Sequence, residues 1–180
     1  MNNYHLLIVH FPIVFAMMYG LVEVISFFKK NQNAFLHECA GWTTLLGTIS
    51  IFVAQATGEA IEHGATWSTQ QKQMIEVHST LSGVLLTIFI IGLVGYAIDW
   101  TLTNKELFRN YFANKQTISK LLEIKISIFT KVQPIVSSRQ LRFLLGIASV
   151  LVVTAIGALG GAVATGCATD PATRLICTFF

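Results

Sequence analysis

Four runs in this 180-residue chain are poor in charge and long enough, or nearly so, to cross a lipid bilayer: residues 4–28, 36–61, 77–100 and 141–165. A membrane-crossing helix needs about 20 such residues to span roughly 30 Å of hydrocarbon. The second run is strongly apolar only over 42–57 and needs its flanks to reach full length. Packed in water, runs of this kind would leave large oily patches exposed, whereas lipid accepts them on every side. Composition agrees: 53% of residues are hydrophobic, 12% are charged, and mean hydropathy is +0.63. The expected fold is all-α, a four-helix transmembrane bundle forming one integral membrane domain over 1–180.

Basic residues set the expected orientation. Lys29 and Lys30 follow the first run, and Lys105, Arg109, Lys115, Lys120, Lys125, Lys131, Arg139 and Arg142 lie between or at the edges of the third and fourth. Only Lys72 and Arg174 fall on the other side, so the positive-inside tendency places both termini outside. In a bacterium this means the inner membrane with periplasmic termini. No Lys or Arg precedes the first run and no small-residue cleavage site follows it, so it reads as a retained span rather than a secretory signal. Nucleic acid is not expected as a partner, since the basic residues form no lipid-free face.

The connector 101–140 is long and basic. Leu107, Phe108, Tyr111, Phe112, Ile118, Leu121, Leu122 and Phe129 recur among its cations, which suits an interfacial helix on the inner leaflet. The stretch 122–128, however, alternates as a strand would. A solvated basic connector is the plainer alternative. Residues 166–180 form an outer tail.

Four of the five histidines, His5, His10, His63 and His78, share the expected outer side, and His37 stands apart near Cys39. Ionisable groups in or near a membrane are costly and often mark ion, proton or cofactor sites. At about 1.5 Å per residue, His10 and His78 reach a similar depth on antiparallel helices. Bis-histidine haem ligation needs such an arrangement, one neutral imidazole on each side of the ring within apolar walls. A histidine that merely bonds a backbone carbonyl is the plain reading of each residue alone. His5 and His63 read more simply as solvated interface residues.

Glu59, Glu62 and Glu76 stand near these imidazoles, where a carboxylate can orient a ligand or relay protons to a quinone; a hydrated acidic loop explains them equally well. Glu23 is expected to snorkel or to pair with Lys29 or Lys30. Pro12 leaves the Ile8 carbonyl without its helical bond and implies a local bend. Gly157, Gly160, Gly161 and Ala164 make a surface small enough for a helix or a flat ring to approach. Cys167 and Cys177 can form a disulfide on the oxidising side, and Cys39 should stay reduced. No CxxCH, HExxH, P-loop or GxGxxG pattern occurs, and no nucleophile stands beside a credible base.

Segments His10-Phe11-Pro12-Ile13, Thr57-Gly58-Glu59-Ala60 with Glu62-His63, Ile75-Glu76-Val77-His78 and Gly160-Gly161 resemble the DUF2231 family of small bacterial membrane proteins. The resemblance spans most of the domain through short motifs. It implies haem b held by His10 and His78, with His63 next, and places Gly58 and Gly161 of these motifs beside the site. It also implies company among electron-transfer proteins. The long connector departs from the family pattern as an insertion. A tyrosine associated with the end of the last span is missing from Ala162–Gly166, which puts any role of that position in doubt.

The expected function is therefore a b-type cytochrome-like subunit near the periplasmic face. It would relay electrons between a periplasmic carrier, such as a c-type cytochrome, and quinone or a partner complex, and it is more an electron-transfer subunit than a stand-alone enzyme. Two other classes remain open: a cofactor-free structural subunit of a respiratory or photosynthetic complex, and a divalent-metal binding or transport protein.

Overall fold

The computed structural model describes residues 4–29, 34–64, 66–112, 116–166 and 171–180, all of them helical or in short connections. Eight helices follow in order: α1 Tyr4–Ile8, α2 His10–Phe28, α3 Ala34–Gly64, α4 Thr69–Thr103, α5 Lys105–Phe112, α6 Gln116–Val136, α7 Arg139–Thr165 and α8 Pro171–Cys177. Four helical segments are long and apolar enough to cross a membrane: α1 continued by α2, then α3, α4 and α7. The chain is a four-helix transmembrane bundle. Helix α2 packs on α3 and α7, and α4 packs on the same two, so the four form a ring.

The break between α1 and α2 falls at Val9, three residues before Pro12. Proline has no N–H to bond the carbonyl four residues earlier, so the turn around Val9 loses support there. In α3 the hydroxyls of Thr43, Thr44 and Thr48 donate to the carbonyls of Cys39, Ala40 and Thr44. Polar side chains thereby enter an apolar span without an unsatisfied group. Ser68 and Gln71 form a reciprocal capping box at the start of α4, and the Ser138 hydroxyl caps α7 by accepting from the Leu141 N–H.

The middle of the bundle is filled by Ala16, Tyr19, Ile51, Leu85, Phe89 and Val153. Large apolar side chains, among them Leu21, Phe52, Val94 and Leu151, cover its outside. An apolar exterior around an apolar core is what lipid requires and water would not tolerate.

The connector is helical. Helix α6 runs through 122–128 without a strand and packs along α4, burying Ile126. A lone stretch of alternating residues cannot form a sheet without a second strand, and the described residues supply none. Lys30 and Lys115 lie outside the described residues. The short α8 folds back on α7 and places Thr173 against Gly161, so the tail caps this end of the bundle.

Candidate functional site

Ionisable groups gather at both ends of the bundle. At the end that carries the chain's first helix, α1 contributes His5, α4 His78, α3 Gly58 and α7 Gly160. His5 Nδ1 lies 2.9 Å from the Thr57 hydroxyl, which itself donates to the Val53 and Ala54 carbonyls. The Thr57 hydroxyl thus holds the His5 ring through Nδ1 and leaves Nε2 outside that bond. Gly58 makes room for this ring: a Cβ there would stand 3.3 Å from His5 Cε1.

His78 enters the interior from α4. Its Nδ1 is wholly buried and has no hydrogen-bond partner. The ring lies against Gly160, where a Cβ would come within 3.3 Å of Cε1, and beside the Ile156 carbonyl. His5 is near enough for its charge to act on His78. The Ile156 carbonyl interacts with the ring without satisfying Nδ1 in full hydrogen-bonding geometry, and a poorly paired buried nitrogen costs about 1–3 kcal/mol.

The other expected site residues are placed differently. His10 sits on the exposed surface of the bundle with Nδ1 directed at the Leu6 carbonyl. Five helical residues separate it from His5, a turn of about 140° beyond one full revolution at 3.6 residues per turn, so the two cannot share a face. The depth expected for His10 carries no direction, and the histidine within electrostatic reach of His78 is His5. Gly161 likewise meets Thr173 of α8, while its neighbour Gly160 receives the histidine. Glu62, His63 and Glu76 are exposed and line a shallow cavity of about 690 Å³ with Trp67, Lys72 and Ile75. Glu59 is exposed. Cys39 is a free thiol and Cys177 is disulfide-bonded; Cys167 lies outside the described residues.

The connector end holds a second cluster, which the pattern of residues did not reveal as one. Glu23 is 3% exposed and accepts a hydrogen bond from the Tyr96 hydroxyl, so it neither snorkels nor pairs with Lys29. Arg142 of α7 donates to Asp99 of α4 at 3.4 Å and to His37 Nδ1 of α3 at 3.2 Å. A guanidinium can only donate, so His37 is unprotonated at Nδ1. Gln133 of α6 also donates to Asp99, at 2.9 Å. The available signal was one ionisable residue at a similar depth on each of α2, α3, α4 and α7. A cavity of about 1080 Å³ opens from this end and reaches Glu23 and Tyr96 at its floor.

Among the described residues, no three His, Cys, Asp or Glu side chains converge as a metal cage. The donor set at the first end instead offers two imidazoles, His5 with a free Nε2 and His78 with a free Nδ1, each against a glycine. Were a haem bound at this end, these two imidazoles are the residues that would hold it, nitrogen donors in apolar surroundings being the chemistry it asks for. A family model described as "Predicted membrane protein (DUF2231)" matches residues 2–170. No curated protein and no solved structure matches the chain.

Proposed function

From the premise that the chain belongs to the DUF2231 family of predicted membrane proteins, we propose that it is a b-type cytochrome-like subunit, holding haem through His5 and His78 at the end of the bundle that carries α1. The observation that carries this reading is the buried, unpartnered Nδ1 of His78 beside a glycine. A haem bound there supplies one-electron transfer.

The chain's own residues divide the remaining work. Thr57 holds the direction of the His5 ring, as hydrogen-bonded partners of ligand histidines commonly do. Gly58 and Gly160 let both rings lie close to the helix backbones. Leu81, Leu159 and Ala162 add apolar surface nearby that limits water. Electrons would pass between a periplasmic carrier, such as a c-type cytochrome, and quinone or a partner complex. The exposed mixed-charge cavity around Glu62, His63, Lys72 and Glu76 suits docking of such a carrier. The location that fits is the bacterial inner membrane with both termini periplasmic, supported by the basic residues at the connector end and by the disulfide of Cys177.

Reduced-minus-oxidised absorption of the detergent-purified protein tests the reading. Wild type should show a b-type spectrum that His78→Ala and His5→Ala lose and His10→Ala keeps. Loss in His10→Ala with retention in His5→Ala would restore the pair expected from depth alone. A colourless wild type would end the haem assignment and favour a scaffold, and zinc or copper without iron on elemental analysis would favour a cation handler.

A further inference from the structure

The connector-end cluster asks for its own explanation, because it puts a carboxyl group inside a membrane-crossing bundle. Glu23 is 3% exposed, on α2, and accepts a hydrogen bond from the Tyr96 hydroxyl of α4. The cation facing it from α7 is Arg142, which is already shared between Asp99 and His37. Asp99 supplies one negative charge for that one positive charge. An ionised Glu23 would therefore add an uncompensated charge in an apolar interior, whereas a protonated Glu23 leaves the inner group neutral. The remaining charged groups of the cavity, Lys29, Glu38 and Arg139, are exposed at its mouth, where water screens them. Arg139 is moreover turned to the Lys29 carbonyl and the Phe27 ring.

Among the described residues, Glu23 lies between a cavity on its connector side and apolar packing on the other. The cavity of about 1080 Å³ reaches Glu23 and Tyr96 from the connector end, passing His37, Asp99 and Arg142. Beyond Glu23, Tyr19 is fully buried with its hydroxyl unpartnered, next to Gly92 and within electrostatic reach of both Glu23 and Tyr96. Past Tyr19 the interior is closed by Ala16, Ile51, Leu85, Phe89 and Val153. A titratable group reached by water from one side and sealed by apolar side chains on the other is a half-channel.

We propose that Glu23 is a proton-binding site within the membrane, exchanging its proton with the connector side through this cavity, its carboxyl held by the Tyr96 hydroxyl. The step is a plain transfer: the carboxyl O–H releases its proton to cavity water and regains one from it. The proposal does not depend on haem.

Infrared spectroscopy of the protein in lipid nanodiscs tests it. At neutral pH the wild type should show a carboxylic C=O stretching band that moves down on transfer to D2O, fades as pH is raised, and is missing in Glu23→Gln. If that variant fails to fold, labelling glutamate carboxyls of the wild type with carbon-13 should move the same band. Gly41→Leu, which adds bulk in the cavity beside the Tyr96 ring, should keep the band and slow its shift in D2O. Absence of the band at acid and neutral pH, or no response to D2O, would overturn the proton site. An undiminished rate in Gly41→Leu would overturn the route.

Discussion

Gly20 and Gly146 let α2 and α7 approach so closely that backbone lies against backbone. A Cβ on Gly20 would stand 2.8 Å from the Gly146 carbonyl oxygen, which cannot rotate aside as a side chain can. Gly20→Ala is expected to cost about 1–3 kcal/mol by overpacking, read as a lower unfolding temperature in detergent. Gly157→Ala is the control: nothing lies within 4 Å of that position, and stability should hold. Tyr96→Phe should also destabilise, by about 1–3 kcal/mol, because Glu23 loses its donor while staying buried. Glu23→Gln should cost less, since the amide oxygen can still accept from Tyr96, and unfolding curves of the two variants check the order. Residue spacing carries depth, and Glu23, His37, Asp99 and Arg142 do lie near one end of the bundle, though the pattern of residues did not group them. Spacing does not carry direction: the angular offset between His5 and His10 leaves His10 exposed and His5 half-buried, and the break at Val9 adds to it.

At the scale of elements, the α5–α6 connection is held by a charged clasp. Arg109 donates to Glu123 through Nε at 2.7 Å and Nη2 at 3.0 Å, and to Glu106 through Nη1 at 2.7 Å. The bidentate guanidinium holds the Glu123 carboxyl below its ordinary range and raises the Arg109 guanidinium above its own. A carboxyl whose folded value is depressed stabilises the folded form above the unfolded value and loses that contribution as pH falls through the folded one. Amide hydrogen exchange in α5 should therefore quicken, relative to its intrinsic rate, as pH drops through the carboxylate range. Added salt should weaken the protection as well, because the pair is exposed. In Arg109→Gln the pH dependence should vanish; protection unchanged by that substitution would mean that apolar contacts such as Trp100 with Phe108 hold α5 instead. The helical connector was only half legible in the residues, because 122–128 alternates locally and helix formation there is settled by packing on α4, a contact that sequence periodicity does not contain.

At the scale of the whole molecule, the spans were legible because solvent, not packing detail, dictates them: a stretch that cannot hydrogen-bond water inside lipid must be helical and long. What pairs with what across the bundle was not legible, since ring order and helix rotation arise from close contacts such as Gly20 with Gly146. Four crossings place the first and last spans' outer ends on one side, and the charges then choose which side. Lys29, Lys105, Arg109, Lys125, Lys131, Arg139 and Arg142 lie at or beyond the connector end, against Lys72 and Arg174 at the other. In the proposed orientation the connector stays inside, which avoids translocating its cations, the usual basis of the positive-inside bias. Alkaline phosphatase fused after Phe180 should thus be active in intact bacterial cells, and a fluorescent protein inserted at the α4–α5 junction should glow. The reverse pattern would put the Glu23 cavity in contact with the periplasm and His5 with the cytoplasm, and the disulfide of Cys177 would then have to survive on the reducing side.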